Sequence, residues 1–342
     1  LRRPNRPDPV ILPPFPSLSG RHAGRPTPSL PGMTRALPSA RPQPRPLLGI
    51  GLMLLAMAIL PMIDVLAKFL GQAGLPILVV VWARALFGAL MMAPVALRAT
   101  GRSALVPERP LYHVARALLL YAATFFFFTA LKYLPIADAL AIFFVHPLIV
   151  TLFSALLLGE RVGPRRWAAV AVGFIGTLII IRPGMVELNP GTVLALLAGA
   201  CLGGYFVMTR ARAGHEDANV MTFHTNVVGT LGLTLLLPLG WQMPEAHQWL
   251  MLVGVGIIAT AGHLLIAMAY EQAEASLLAP LGFTEIVMAT LLGWWFFGDL
   301  PDRWTVLGVA VLIGSAFYIS VRERRGGKIS PSKRRAKTAS GG

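Results

Sequence analysis

The sequence predicts an all-α integral membrane protein of ten transmembrane helices, built as two inverted five-helix repeats. Three observations predict it. Of 342 residues, 55% are hydrophobic and only 13% charged, against roughly 25% charged in soluble domains. Ten apolar runs of near-spanning length follow one another, joined by short connections that hold the Gly, Pro and charged residues. Finally, stretches about 140 residues apart match each other.

Crossing a bilayer takes about 20 mostly apolar residues. By that measure the first span is 47–70, which closes on "DVLAK". The second, 77–97, carries Arg84 in "VVVWARALFG", and the third, 113–131, ends in the aromatic run "TFFFFTALKY". The fourth, 136–158, has His146 and Pro147 near its centre. A proline there removes a backbone donor and crowds the preceding turn, and a histidine in hydrocarbon needs something to solvate it. The fifth, 166–182, is Gly-rich and follows "GERVGPRRW". The sixth, 191–210, contains "GACLGG", small residues that allow close helix approach. The seventh, 219–239, and eighth, 247–270, carry His224, Asn226 and His263. The ninth, 277–297, holds Pro280 and Glu285, and the tenth, 304–321, follows "GDLPDRW".

The formal charge of +15 resembles a nucleic-acid signal until it is located. Eight basic residues fall in 1–46 and eight more from Arg322 onward. The spans between have too few charges for a phosphate-binding face, so no nucleic-acid partner is expected. Residues 1–46 hold thirteen of the 28 prolines, and both they and the basic stretch 323–342 are expected to be disordered. The first methionine is Met33, which points to an over-extended start. Loop charges orient the chain. With a cytoplasmic N-terminus, inside loops hold Arg98, Arg102, Arg109, Arg161, Arg165, Arg166, Arg210 and Arg212, against Lys132, Arg182 and Arg303 outside. That asymmetry places both termini in the cytoplasm.

The single cysteine, Cys201, excludes an internal disulfide. No P-loop, nucleophile elbow, HExxH or Cys/His metal pattern is present. Neither an enzyme nor a cofactor nor a metal is therefore expected, and without a nucleotide-binding domain any active transport must be secondary.

"ALLLGERVGPRRWAAVAVGFIGTLIIIR" (155–182) aligns with "GWWFFGDLPDRWTVLGVAVLIGSAFYISVR" (293–322), and "LMLLAMAILPMIDVLAKF" (52–69) with "VLALLAGACLGGYFVMTR" (193–210). Five spans per half is odd, so repeat 47–184 and repeat 191–322 insert upside down relative to each other. Such repeats carry their substrate site near the midplane between them. His146 then falls on Glu285, bringing two ionisable residues towards one cavity, with Pro147 and Pro280 freeing backbone carbonyls beside them; for His146 a neutral imidazole satisfied by a neighbouring carbonyl is the alternative. Glu285, the deepest carboxylate, is the candidate for coupling or cation binding; a hydrogen-bonded helix contact is the alternative. Asp64 and Lys68, one turn apart, permit an ion pair, and with Arg84 they could form an outer vestibule for an anionic or zwitterionic solute. A structural cluster joining the first two spans is the alternative. Tyr205 lies opposite Asp64 in the repeat, placed to stack on a planar substrate or simply to pack. Asn226, His224 and His263 are weaker candidates.

The stretch "TALKYLPIADALAIFFVHPLIVTLFSALLLGERVGPRRWAAVAVGFIGTLIIIRPG" (129–184) resembles the EamA module of the drug/metabolite transporter superfamily. The likeness rests on the "AL-x-Y-x-P" entry, the mid-helix proline, the "LLLGE" exit and the Gly-rich helix that follows. "AYEQAEASLLAPLGFTEIVMATLLGWWFFGDLPDRW" repeats it in the second half, so it covers about 47–322. The resemblance implies a ten-helix carrier of the bacterial inner membrane, in which helices one to four and six to nine surround the cavity while five and ten pack outside. "DVLAK" and "FTEIVMATLLGWWFFGD" look most like bacterial carriers of riboflavin or S-adenosylmethionine; amino-acid exporters share the fold. The His146-Pro147 pair departs from the small residue more usual before this proline. The expectation is a secondary transporter of a small polar or amphipathic metabolite, with protons as a candidate coupling ion. An exporter of the same fold is the alternative, followed by a membrane enzyme or scaffold without transport.

Overall fold

The computed structural model describes residues 45–157, 164–182, 189–212, 215–273 and 275–327. The sequence-predicted tails lie almost wholly outside them, as do the Gly159-Glu160 exit and most of the loop after it. Thirteen α-helices run through the described residues, with no strand: α1 (Pro46–Ile59), α2 (Pro61–Gln72), α3 (Ile77–Thr100), α4 (Pro110–Ala130), α5 (Ile136–Phe143), α6 (His146–Leu157), α7 (Pro164–Ile181), α8 (Pro190–Ala211), α9 (Ala218–Leu236), α10 (Ala246–Gln272), α11 (Ala275–Leu278), α12 (Thr284–Phe297) and α13 (Arg303–Gly327).

Seven helical segments are long and apolar enough to cross a membrane. Shorter apolar helices, Val170–Ile181, Leu281–Phe297 and Arg303–Ser315, stand at the fifth, ninth and tenth predicted spans. Local chemistry sets the boundaries. Prolines open α1, α2, α4, α7 and α8, where a missing N–H costs nothing and φ is already helical. Asn189 caps α8 by accepting from the Gly191 amide at 2.8 Å, and Asp217 caps α9 through the amides of Asn219 and Val220. Glu245 and Gln248 form a reciprocal capping box on α10.

Three predicted spans are interrupted, each at a proline. The first bends between α1 and α2, where Pro61 leaves the Met57 carbonyl without its helical donor. The fourth is split between α5 and α6 at Phe144–Val145. The ninth passes from α11 through a 3-10 segment, Ala279–Phe283, before α12 begins at Thr284. Two glycines of "GACLGG" make room for the fourth-span break. A Cβ on Gly199 would come 2.8 Å from the Phe143 carbonyl oxygen, and one on Gly203 would come 2.6 Å from Ile149.

α3 packs on α9 and α10, α4 on α8, and α1 on α10. α7 packs chiefly on α13, at a close approach of glycines: a Cβ on Gly308 would lie 2.6 Å from the Gly176 carbonyl oxygen.

Candidate functional site

Two adjoining cavities open within the bundle. The first, of about 200 Å³, is lined among others by Asp64, Arg84, Phe127, His146, His263 and Glu285. The second, of about 110 Å³, includes Tyr205, Asn219, Thr222 and Asn226. Arg84, Leu120 and His263 face both. Helices α7 and α13 contribute no lining residue among those described, and the remaining spans surround the space.

The interrupted helices position the polar groups. Pro147 has no N–H to give the Phe143 carbonyl four residues back. His146 fills that role: its Nδ1 donates to Phe143 O at 3.1 Å. The imidazole thereby repairs the proline's defect, and its Nε2 is left with the lone pair. Phe143, Phe144 and Phe206 surround the ring, with centroids 5.4, 5.4 and 5.7 Å away. Glu285 occupies the first turn of α12, directly after the 3-10 segment. Asp64, on α2, is buried within electrostatic range of both Glu285 and Arg84. Arg84 donates from Nη1 to Thr124 Oγ1 at 2.6 Å. The cavity thus holds one guanidinium and two carboxylates.

In the second cavity, the Tyr121 hydroxyl donates to Asn226 Oδ1. Gly88 leaves room for that amide, since a Cβ there would lie 3.1 Å from the same oxygen. The Tyr205 hydroxyl accepts from Arg116 Nη2 at 3.3 Å, and the guanidinium lies 5.1 Å from its ring.

Of the sequence candidates, Asp64, Arg84, His146 and Glu285 are brought together in one cavity, with Tyr205 and Asn226 in its neighbour. The Asp64–Lys68 ion pair is corrected. Lys68 pairs instead with Asp299, Nζ to Oδ2 at 2.7 Å, and lies 4.7 Å from the Phe297 ring. The two side chains one turn apart on α2 diverge, because the loop after α12 offers Lys68 a better acceptor at the helix end. Lys68 lines neither cavity. Beside this pair, Arg182 Nη2 meets Asp302 Oδ2 at 2.6 Å. Burial works against the Asp302 charge, but bonds from Thr305 and the nearby guanidinium hold its carboxyl below the usual range.

The Lys68–Asp299 pair is buried on one side and one-third exposed on the other. Its loss should therefore cost more than a surface pair and less than a fully buried one, about 1–2 kcal/mol. Asp299→Asn is expected to lower the thermal midpoint in detergent, and adding Lys68→Met should recover part of the loss. Additive losses in the double variant would show that the two groups are not coupled.

Sequence reasoning passed over Thr124, which fixes Arg84, and Arg116, which is 1% exposed. A list of every charge inside an apolar span would have found Arg116. Thr124 had no such signal.

The EamA-like transporter family matches twice, over residues 47–182 and 189–321. A riboflavin transporter of Vibrio cholerae is 32% identical over 217 residues, 63% of this chain and 72% of the relative. An S-adenosylmethionine uptake transporter of Rickettsia prowazekii is 25% identical over 277 residues, 81% of this chain and 94% of the relative. A pseudopaline exporter of Pseudomonas aeruginosa is 27% identical over 205 residues, 58% and 71% of the two chains. A solved crystal structure superposes with a TM-score of 0.57 at 23% identity, covering 82% of this chain and 97% of its own, which supports the fold alone. With both halves of the bundle matched and the cavity lying between them, the chain belongs to the EamA-like transporter family.

Proposed function

We propose that this membrane protein is a secondary transporter moving a small polar or amphipathic metabolite by alternating access across the bacterial inner membrane. Ten spans in two inverted repeats would carry it, with both termini cytoplasmic. One observation supports this most: a single cavity takes Asp64, Arg84 and His146 from the first matched repeat and Glu285 from the second. Charged groups in an apolar bundle are costly and face pathways or partners. The excess carboxylate calls for a proton or a cationic group, which makes protons or a positively charged solute the coupling species. Phe127, Phe128, Phe143, Phe144 and Phe206 add an aromatic wall suited to a flat ring system. Riboflavin and S-adenosylmethionine, named for two relatives, both contain one.

The exporter among the relatives favours one further reading, outward movement through the same cavity. The two are separated by measuring labelled riboflavin and S-adenosylmethionine, in parallel, in cells that lack their own importers and express this chain. Saturable uptake of one solute is expected, weakened when the proton gradient is collapsed. Efflux without uptake would select the exporter. Neither uptake nor efflux in proteoliposomes across a metabolite panel would overturn the transporter reading.

A further inference from the structure

Away from both cavities, three side chains from separate segments converge: His113 in the first turn of α4, Glu216 in the connection before α9, and His224 within α9. Their ligand-type atoms all lie within 4.8 Å of one another. Glu216 Oε1 is 3.3 Å from His113 Nε2 and 3.4 Å from His224 Nδ1, and the two rings stack edge to face at 4.7 Å. A metal with N and O ligands at about 2.0–2.1 Å in tetrahedral geometry holds them about 3.3 Å apart. The two distances to Glu216 match that spacing, and the three ligand atoms all fall within 4.8 Å of one another.

Two further observations point to an occupant. His224 Nε2 lies 2.8 Å from the Ala104 carbonyl oxygen, so it must carry the proton there. Nδ1 then faces the carboxylate oxygen at 3.4 Å, a contact that either a proton on Nδ1 or a metal ion between the two atoms completes. A carbonyl fixing the distal ring nitrogen is also how metal-binding histidines are commonly oriented. His113 is fully buried, and neither of its ring nitrogens makes a hydrogen bond. A buried ring nitrogen that makes no hydrogen bond is costly, and a metal at Nε2, which has only Glu216 Oε1 nearby, would satisfy it.

We propose that His113, Glu216 and His224 form a binding site for a divalent transition metal, most favourably Zn2+, with a fourth position for water. Two imidazoles and one carboxylate select zinc-like ions over Mg2+ or Ca2+, which prefer all-oxygen shells. The side chain of Glu216 is 11% exposed, which leaves an entry path from its loop. Arg116 and Arg212 lie within electrostatic range of His113 and oppose a cation. Arg116 is already engaged by Thr209, Tyr205 and the Met221 carbonyl. The sequence held no metal pattern because the ligands come from three segments spread over more than a hundred residues. A bound ion would tie the start of α4, the Ala104 turn and α9 together at one end of the bundle.

The test uses the full chain, purified without a histidine tag and stripped of metal, titrated with Zn2+ and, in parallel, with Co2+ as a spectroscopic probe. One Zn2+ per chain is expected, with a raised thermal midpoint and the intense visible absorption of four- or five-coordinate Co2+. Glu216→Gln and His224→Gln should each weaken Zn2+ binding about tenfold or more and abolish the thermal shift. The wild-type cobalt spectrum needs no variant, so a substitution that fails to fold does not blunt the test. Absence of stoichiometric binding, a weak octahedral cobalt spectrum, or Zn2+ binding unchanged in both variants would each overturn the proposal. The cluster would then be read as protonated imidazoles held by Glu216.

Discussion

Replacing Glu285 with glutamine is expected to cut transport by about tenfold or more while leaving membrane insertion and thermal stability near wild type. The substitution keeps the shape of the side chain and removes only its ability to carry charge. In the cavity, Asp64 lies within electrostatic range of both Glu285 and the Arg84 guanidinium, which Thr124 holds in place. On the proposed mechanism Arg84 balances Asp64, and Glu285 takes up a proton or the positive group of a solute. Glutamine removes that demand permanently, so the cavity no longer changes its charge balance when it fills and empties. The loss should fall on the coupled step. Counterflow of labelled against unlabelled solute should persist in proteoliposomes, while gradient-driven accumulation fails. Asp64→Asn makes a useful contrast: it removes the carboxylate whose electrostatic neighbours include both Arg84 and Glu285, and should reduce solute exchange as well. Normal gradient-driven accumulation by Glu285→Gln would remove Glu285 from the mechanism.

Seven long apolar spans were legible because hydrocarbon imposes a simple code: about 20 apolar residues per crossing, with charge mostly at the ends. The candidate cavity was legible for a related reason. Asp64, Arg84, His146 and Glu285 stand out as polar groups where polar groups are costly, and the repeat offset places His146 opposite Glu285. What the sequence could not carry was pairing. Asp64 and Lys68 are one turn apart, yet Lys68 reaches an acceptor more than two hundred residues away in sequence, Asp299. Helical spacing states which side chains share a face, not which neighbouring helix supplies a better partner. For His146 the sequence offered both a cavity group and a ring satisfied by a neighbouring carbonyl, and the second is what its Nδ1 does. A histidine before a mid-span proline invites a ligand-binding reading, and the first thing its ring does is replace the donor that Pro147 lacks. The two roles are compatible, since only Nδ1 is used. The glycines were hardest to rank. "GACLGG" carries three, of which Gly199 and Gly203 meet the broken helix closely while Gly204 makes ordinary contact with Leu119.

That difference between glycines gives the second large effect. Gly229→Ala is expected to destabilise the protein by about 1–3 kcal/mol or more, whereas Gly232→Ala, one turn along the same helix, should be neutral to stabilising by up to about 1 kcal/mol. A Cβ at Gly229 would collide with Tyr121 Cε2 and Cδ2, inside the ring's own volume. Tyr121 is 4% exposed and packed in the main apolar core, so it has little room to yield. If the ring does move, it also pulls its hydroxyl from Asn226 Oδ1, and with it a wall of the second cavity. Stability and transport should therefore fall together. At Gly232 a Cβ meets nothing within 4 Å, so alanine there changes neither the packing nor the cavity. The comparison is internal: same helix, same substitution, same change in helix propensity, different neighbour. Thermal unfolding of the two variants in one detergent reads it directly. Equal midpoints would mean that Tyr121 is not wedged against α9, and the α4–α9 contact that carries Asn226 would then have to be redrawn. Tyr121→Ala carries its own cost for an emptied core site, so the cycle decides: a Gly229→Ala effect that is large in the wild type and small in a Tyr121→Ala background would place the cost in that one collision.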